Sequence, residues 1–201
     1  KTGHFILERY GMTETNIICS NPIKGKRKAG TVGLPLKDQK LKIVDDNFNN
    51  LDEGEIGNIQ VSGPNVFKMY WNLPDKTRED FSNDNFFNTG DKGFIDEDGY
   101  LTIVGRSKDM IISGGLNVYP KEIESIIDDL DGVDESAVIG VKDDDLGEKV
   151  VTFIVKNAGS EITKDALLSY LKKDIAGVKV PKEIIFIEEL PRNAMGKVQK
   201  N

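Results

Sequence analysis

Apolar and polar residues alternate over two stretches in the first half of the chain. Leu41 and Ile43 hold alternate positions in "QKLKIVD", as do Ile59 and Val61 in "GEIGNIQVSG". That period belongs to a strand with one buried face. "GFIDEDGYLTIVG" sets Asp98-Gly99 between two apolar runs. This predicts a hairpin with a type I′ turn, in which both central residues take positive φ. Residues 30–105 therefore read as β structure, and the closely spaced glycines and turn residues favour a small barrel-like or folded sheet.

After Gly105 the period changes. "YPKEIESIIDDL" places Ile123, Ile126, Ile127 and Leu130 at helical spacing, with Pro120 in a first turn where its missing N–H costs nothing. "SAVIGV" and "KVVTFIV" read as short, nearly continuous apolar strands. Thr163 is expected to cap "KDALLSYLKKDIAG", whose Leu167, Leu171 and Ile175 share a face before Gly177 ends the helix. "EIIFI" supplies a last strand. The order β–α–β–β–α–β predicts helices packed on one face of a sheet, an α+β unit. The charged, glycine-flanked "GRSKDMIISGG" marks the junction. The expected organisation is residues 1–105 as part of a larger domain with a β subdomain, 106–108 as a joint, and 109–201 as a small second domain.

Composition narrows the classes. The 201 residues are 38% hydrophobic and 30% charged, as in ordinary soluble proteins. No apolar run reaches the length of a membrane span, and no secretory signal opens the chain. Cys19 is the only cysteine, which excludes an intrachain disulfide and suits a reducing compartment. A net charge of −7 argues against bulk binding of nucleic acid, so an anionic ligand needs a local cluster of donors. The chain opens without methionine inside an apolar, strand-like run, Phe5 to Leu7, and stops just after "PRNAMGKVQK". It reads as the carboxyl-terminal portion of a longer protein. Residues 1–25, without upstream sheet partners, are expected to fray or pack differently.

Four short motifs could carry chemistry, and each has a plainer reading. In "YGMTET", Thr13 and Thr15 can donate to phosphate oxygens and Glu14 can hold a hard cation, or a threonine can cap a helix. In "FFNTGDKG", Asp91 can accept both hydroxyls of a ribose, or bond its own backbone in a turn. "GRSKDMIISGGLNVYP" offers Arg106, Lys108, Gly114 and Gly115, as a ligand-approaching loop or a solvated linker. Lys197, in "PRNAMGK", is a mobile anion-seeking lysine or a solvated one. His4 and Trp71 are simplest as packing or surface residues. Asp128-Asp129 and Asp143 to Asp145 look like solvated helix ends and turns. One His and one Cys leave no credible zinc spacing, Ser-His-Asp triad or Cys-His pair.

Taken in order and at these separations, "YGMTET", "TGD", "GRSKDMIISGG" and "PRNAMGK" resemble the acyl- and aryl-coenzyme A synthetases of the adenylate-forming superfamily, over essentially the whole chain. The surrounding "TGHFILERYGMTET", "GPNVFKMYW" and "SGGLNVYPKEIE" are similar to the malonate-activating branch. The resemblance implies an ATP- and Mg²⁺-dependent acid–coenzyme A ligase, with malonate or a fatty acid as the acid. It implies that Thr13 contacts phosphate, Glu14 binds Mg²⁺, Tyr10 lies beside adenine, and Asp91 and Arg106 hold the nucleotide. Lys108 falls on the hinge, Gly114 and Gly115 on the coenzyme A tunnel, and Lys197 on the adenylating lysine. Arg9, next to that motif, is a candidate for a distal substrate carboxylate or for a surface ion pair with Glu8. The family's phosphate loop is absent from these residues, so this piece alone is expected not to activate an acid. A non-catalytic binding module of the same fold is the other reading. Cytoplasm is the expected location, with a mitochondrion or plastid open.

Overall fold

The computed structural model describes residues 6–200, so Lys1 to Phe5, including His4, and Asn201 lie outside it. Of the opening apolar run, Phe5 lies outside the described residues, and Ile6 and Leu7 join no strand. The fold is α+β, and the chain divides into two compact units between Ser107 and Lys108.

The first unit holds two antiparallel sheets. Strands β1 (Arg9–Met12), β2 (Asn16–Ser20) and β3 (Leu34–Pro35) form one, in that order. Strands β4 (Lys40–Val44), β5 (Gly57–Ser62), β6 (Phe87–Ile95) and β7 (Leu101–Arg106) form the other as a simple meander. Alternation fixes the register: Leu41 lies opposite Val61 and Ile43 opposite Ile59, so the apolar positions face one core. Ile43, Ile59, Val61, Phe87 and Leu101 meet Tyr10, Ile18 and Cys19 there. The expected barrel does not form among the described residues: β4 and β7 are the two ends of an open sheet. Nor does the start of the chain pack loosely from Arg9 onward. Antiparallel pairing and the burial of Ile18 and Cys19 tie β1 and β2 into the unit.

Two local features differ from the sequence pattern. A helix, α1 (Pro74–Asp80), interrupts the β region; it buries no residue, so no apolar period announced it. The hairpin at Asp98-Gly99 exists, but only Gly99 takes positive φ (+82°). The turn is not type I′, because Asp96 closes it instead. The Asp96 carbonyl accepts from Gly99 N at 2.8 Å, and its carboxylate accepts from the amides of Asp98 and Tyr100.

The second unit opens with a hairpin, β8 (Ile111–Ser113) and β9 (Leu116–Val118), then α2 (Pro120–Asp128). β10 (Val133–Asp143), β11 (Gly147–Lys156), α3 (Lys164–Asp174) and β12 (Glu183–Ile187) follow. β10 pairs antiparallel with β11, and β12 runs parallel to β11. Ile123 and Ile127 of α2 and Leu167 and Leu171 of α3 join Ile111, Val118, Val138, Val150, Ile154 and Ile184 in one core. Thr163 does cap α3, its Oγ1 accepting from Ala166 N at 3.3 Å. Gly177 does not end that helix: Asp174 is its last residue and Ile175 is already extended, turning its side chain onto the core.

Leu171 is fully buried. Leu171→Ala is expected to cost about 2–5 kcal/mol of unfolding free energy, and Lys172→Ala about 0.5 kcal/mol or less, in urea titrations of the protein. Equal effects would remove Leu171 from the core.

Candidate active site

The β1–β2 hairpin brings the first set of residues forward. Gly11 sits at its neck, where a Cβ would lie 1.9 Å from Asn16 O; only glycine admits that approach. Met12 O accepts from Thr15 N at 3.1 Å, and Asn16, at φ +51°, turns the chain back. Thr13 is exposed at the tip, Glu14 half-buried and Thr15 buried. No helix follows, so the threonines cap none.

A neighbouring segment holds this loop from outside. Phe67 N donates to Glu14 O at 2.8 Å. The Asn65 amide Nδ2 donates to Thr15 O and Ile17 O. Tyr70 OH donates to Glu14 Oε1 at 3.2 Å. Burial first, and the Glu14 charge second, push the Tyr70 hydroxyl well above its ordinary value, which keeps it a donor. Tyr70 lies 56 residues from Glu14, so no local pattern could have exposed the pair.

A second set meets at the base of the same hairpin. Asp91 lies within β6 rather than on a turn, directly opposite Arg106 of β7. Only 5% of Asp91 is exposed. Its Oδ2 accepts from Tyr10 OH at 2.5 Å, and its Oδ1 pairs with Arg106 Nε at 3.1 Å. Thr89 fixes the backbone there, donating its hydroxyl to Ile59 O and accepting from Asp91 N at 3.2 Å. Burial first, then the Asp91 charge, drive the Tyr10 hydroxyl far upward, so it remains protonated. The structure thus unites Tyr10, Asp91 and Arg106 and sets Thr13 and Glu14 on the same hairpin. Both carboxylate oxygens of Asp91 are engaged.

Arg9, beside Tyr10, is exposed, and no described residue forms an ion pair with it, Glu8 included. It lines a cavity of about 350 Å³ with Ile17, Asn21, Ile23 and Leu36. No cluster of three metal-ligating side chains exists among the described residues. Glu14 alone still fits Mg²⁺, which ordinarily takes one or two carboxylates and completes its shell with substrate phosphates and water.

The second unit carries the remainder. Lys108 is exposed in a 3₁₀ turn, Ser107–Asp109, at the division between units. Gly114 and Gly115, at φ +56° and +78°, form the two-residue β8–β9 loop; this is where the type I′ geometry occurs. Lys197 is exposed on a tight loop, Asn193 to Lys197, and no described residue pairs with its ammonium. Trp71 is 86% exposed, a surface residue.

Residues 1–71 match the model of the AMP-binding enzyme family, and residues 122–197 match that of the AMP-binding enzyme C-terminal domain. The chain belongs to the AMP-binding, adenylate-forming superfamily. It is 43% identical to a malonate–CoA ligase of Arabidopsis thaliana, over 99% of this chain and 34% of that protein. It is 42% identical to a long-chain-fatty-acid–CoA ligase of Salmonella typhimurium, over 98% of this chain and 35% of that protein. The ATP-bound crystal structure of MatB from Rhodopseudomonas palustris superposes with a TM-score of 0.94 at 53% identity, over 100% of this chain and 40% of that one. The chain therefore spans well under half the length of these relatives.

Cys19, paired across from Tyr10, is fully buried, and burial pushes its thiol up to about 12. At pH 8 only about 10⁻⁴ of it is thiolate. A disulfide reagent at pH 8 is expected to leave Cys19 untouched in the folded protein and to modify it within minutes in urea. Rapid modification without urea would mean that the hairpin opens readily.

Proposed function

We propose that this chain carries the nucleotide-holding residues and the mobile lysine of an ATP-dependent acid–coenzyme A ligase that acts on a short dicarboxylic acid, malonate first. The observation that carries the reading is the buried Asp91, oriented by Tyr10 and Arg106 beneath the Thr13–Glu14 loop. A carboxylate fixed from two sides is held in a set orientation, as needed to meet the hydroxyls of a ribose. Tyr10 would lie beside the adenine, and Thr13 would donate to phosphate. Glu14, steadied by Tyr70, would hold Mg²⁺, which supplies charge neutralisation on the phosphates.

In the first half-reaction the acid's carboxylate oxygen bonds to the α-phosphorus and the bond to the pyrophosphate oxygen breaks. Lys197 would offset the charge that grows there, more in the transition state than in the ground state. In the second, the thiol sulfur of coenzyme A bonds to the acyl carbon and AMP departs. Gly114 and Gly115, with no Cβ on a projecting loop, would flank the incoming pantetheine. Lys108 would be the pivot between the two arrangements. The residues here lack the family's phosphate loop, so this piece by itself is expected to be inactive.

The full-length protein should release pyrophosphate from ATP and Mg²⁺ with malonate, and should turn over only with coenzyme A. Lys197→Ala is expected to lower that release about 10²–10³-fold while preformed malonyl-adenylate still reacts with coenzyme A. Lys108→Pro is expected to do the reverse. Preference for a long-chain fatty acid would keep the mechanism and discard the dicarboxylate. Silence on every acid would favour a binding module.

Arg9 is the candidate specificity residue. With no ion-pair partner among the described residues, its guanidinium is available to a distal carboxylate. Arg9→Ala in the full-length protein is expected to raise KM for malonate at least tenfold and leave KM for ATP unchanged. An unaltered malonate KM would end that assignment.

A further inference from the structure

Lys197 stands on a loop that occurs four times among the described residues. In each copy the first residue donates its N–H to the carbonyl of the fifth and accepts at its own carbonyl from the N–H of the fourth. Its side chain also accepts from the N–H of the fifth, and the fourth residue takes positive φ. The copies begin at Asp45, Ser82, Asp96 and Asn193. The left-handed residues are Phe48 (+65°), Asn85 (+63°), Gly99 (+82°) and Gly196 (+75°).

In the last copy the fifth residue is Lys197. Asn193 Oδ1 accepts from Lys197 N at 3.0 Å and from Met195 N at 3.0 Å. Asn193 N donates to Lys197 O at 2.9 Å. Both backbone polar groups of Lys197 are therefore held by one residue. The loop's base is also anchored. Arg192 Nη1 donates to Gly196 O at 2.9 Å, and its guanidinium forms an ion pair with Glu135 of β10. Val198, just past the loop, packs on Ala137, Val155 and Leu190. Only the four-carbon stem of Lys197 is left to move.

We propose that Asn193 is the positioning residue for Lys197. It fixes the lysine's Cα relative to the sheet, so that when the unit swings, the ammonium arrives within reach of the reacting phosphate without a search by the backbone. This rests on the ligase reading above. The physical case is that a misplacement of about 1 Å can cost about 10²-fold in rate. A loose loop would also add the backbone's conformational entropy to that of the lysine stem. Two of the sister loops use aspartate at the first position. A neutral amide performs the same bonding here without placing a carboxylate beside a cation that must meet an anion.

The test uses the full-length protein and separates the half-reactions. Asn193→Ala is expected to slow pyrophosphate release about 10–100-fold while thioester formation from preformed acyl-adenylate stays within about twofold. Asn193→Ser should recover most of the loss, because Ser82 makes the equivalent bond to Phe86 N at 3.0 Å in its own loop. Asn193→Ala added to Lys197→Ala should slow the reaction no further than Lys197→Ala alone. Amide hydrogen exchange at Lys197 should speed up at least tenfold in the alanine variant and stay slow in the serine variant. Undiminished adenylation in Asn193→Ala, or a serine variant no better than alanine, would overturn the proposal. A parallel fall of both half-reactions would reduce Asn193 to a structural residue. Lys197→Ala with intact adenylation would instead retire the ligase reading, and the exchange comparison would still report whether Asn193 holds the lysine.

Discussion

The carboxylate of Asp91 is almost wholly out of water, and the first unit is arranged around that fact. A buried charge without partners is strongly destabilising, so its oxygens must be met by donors. Tyr10 comes from the other sheet, 81 residues earlier, and Arg106 from the strand next door. A hydrogen bond to a charged group contributes about 1.5–3 kcal/mol. Here it also pins β1 to β6, and therefore sets where the Thr13–Glu14 loop stands. Cys19 and Ile18 close the core behind the same strand pair. Stability and site geometry thus share one contact, and the hairpin could not drift without exposing a desolvated carboxylate to an incomplete shell.

What the sequence made legible was periodicity. Alternation at Leu41, Ile43, Ile59 and Val61 told which face of each strand is buried, and the three-to-four spacing of Ile123, Ile126 and Ile127 told the same of α2. Where no apolar period exists, nothing could be read: α1 is polar on every side and passed unnoticed. Turn type was misread for a related reason. Asp98-Gly99 matches the favoured dipeptide of a two-residue loop, but the carboxylate of Asp96, two residues earlier, captures the amides of Asp98 and Tyr100 and enforces a longer loop. Side-chain capture of backbone donors is decided by a residue outside the dipeptide. The glycine pair that does form the short loop, Gly114-Gly115, was visible only as a flexible or ligand-facing spot.

The candidate site was legible as words and not as contacts. Tyr10, Thr13, Glu14, Asp91 and Arg106 all lie in short motifs, yet none of those motifs says that Tyr10 bonds Asp91. The supporting residues, Asn65, Tyr70 and Thr89, sit between the motifs and act across long separations. Their contribution is positional: an amide on two carbonyls, a phenol on a carboxylate, a hydroxyl bridging two strands. Such groups carry no signature in one sequence, because the same residue types fill ordinary loops.

The repeated loop suggests how a protein can keep a reactive group both exact and removable. A lysine tethered to a disordered tail would be free to leave, but each return would require the backbone to be ordered again, at about 1–2 kcal/mol per residue. A lysine on a rigid element would be ready to act but could not withdraw. Placing Lys197 on a loop braced by Asn193 and Arg192, in a unit that divides from its neighbour beside the exposed Lys108, separates the two demands. Local order is supplied by hydrogen bonds inside the loop, and on the proposed reading movement is left to the joint at Lys108. The loop tolerates Phe48 in one copy at a positive φ that glycine takes without strain, so its geometry is enforced by the side-chain acceptor at its first position more than by the residue at its fourth. That is the reason for assigning the control of Lys197 to Asn193 and not to Gly196.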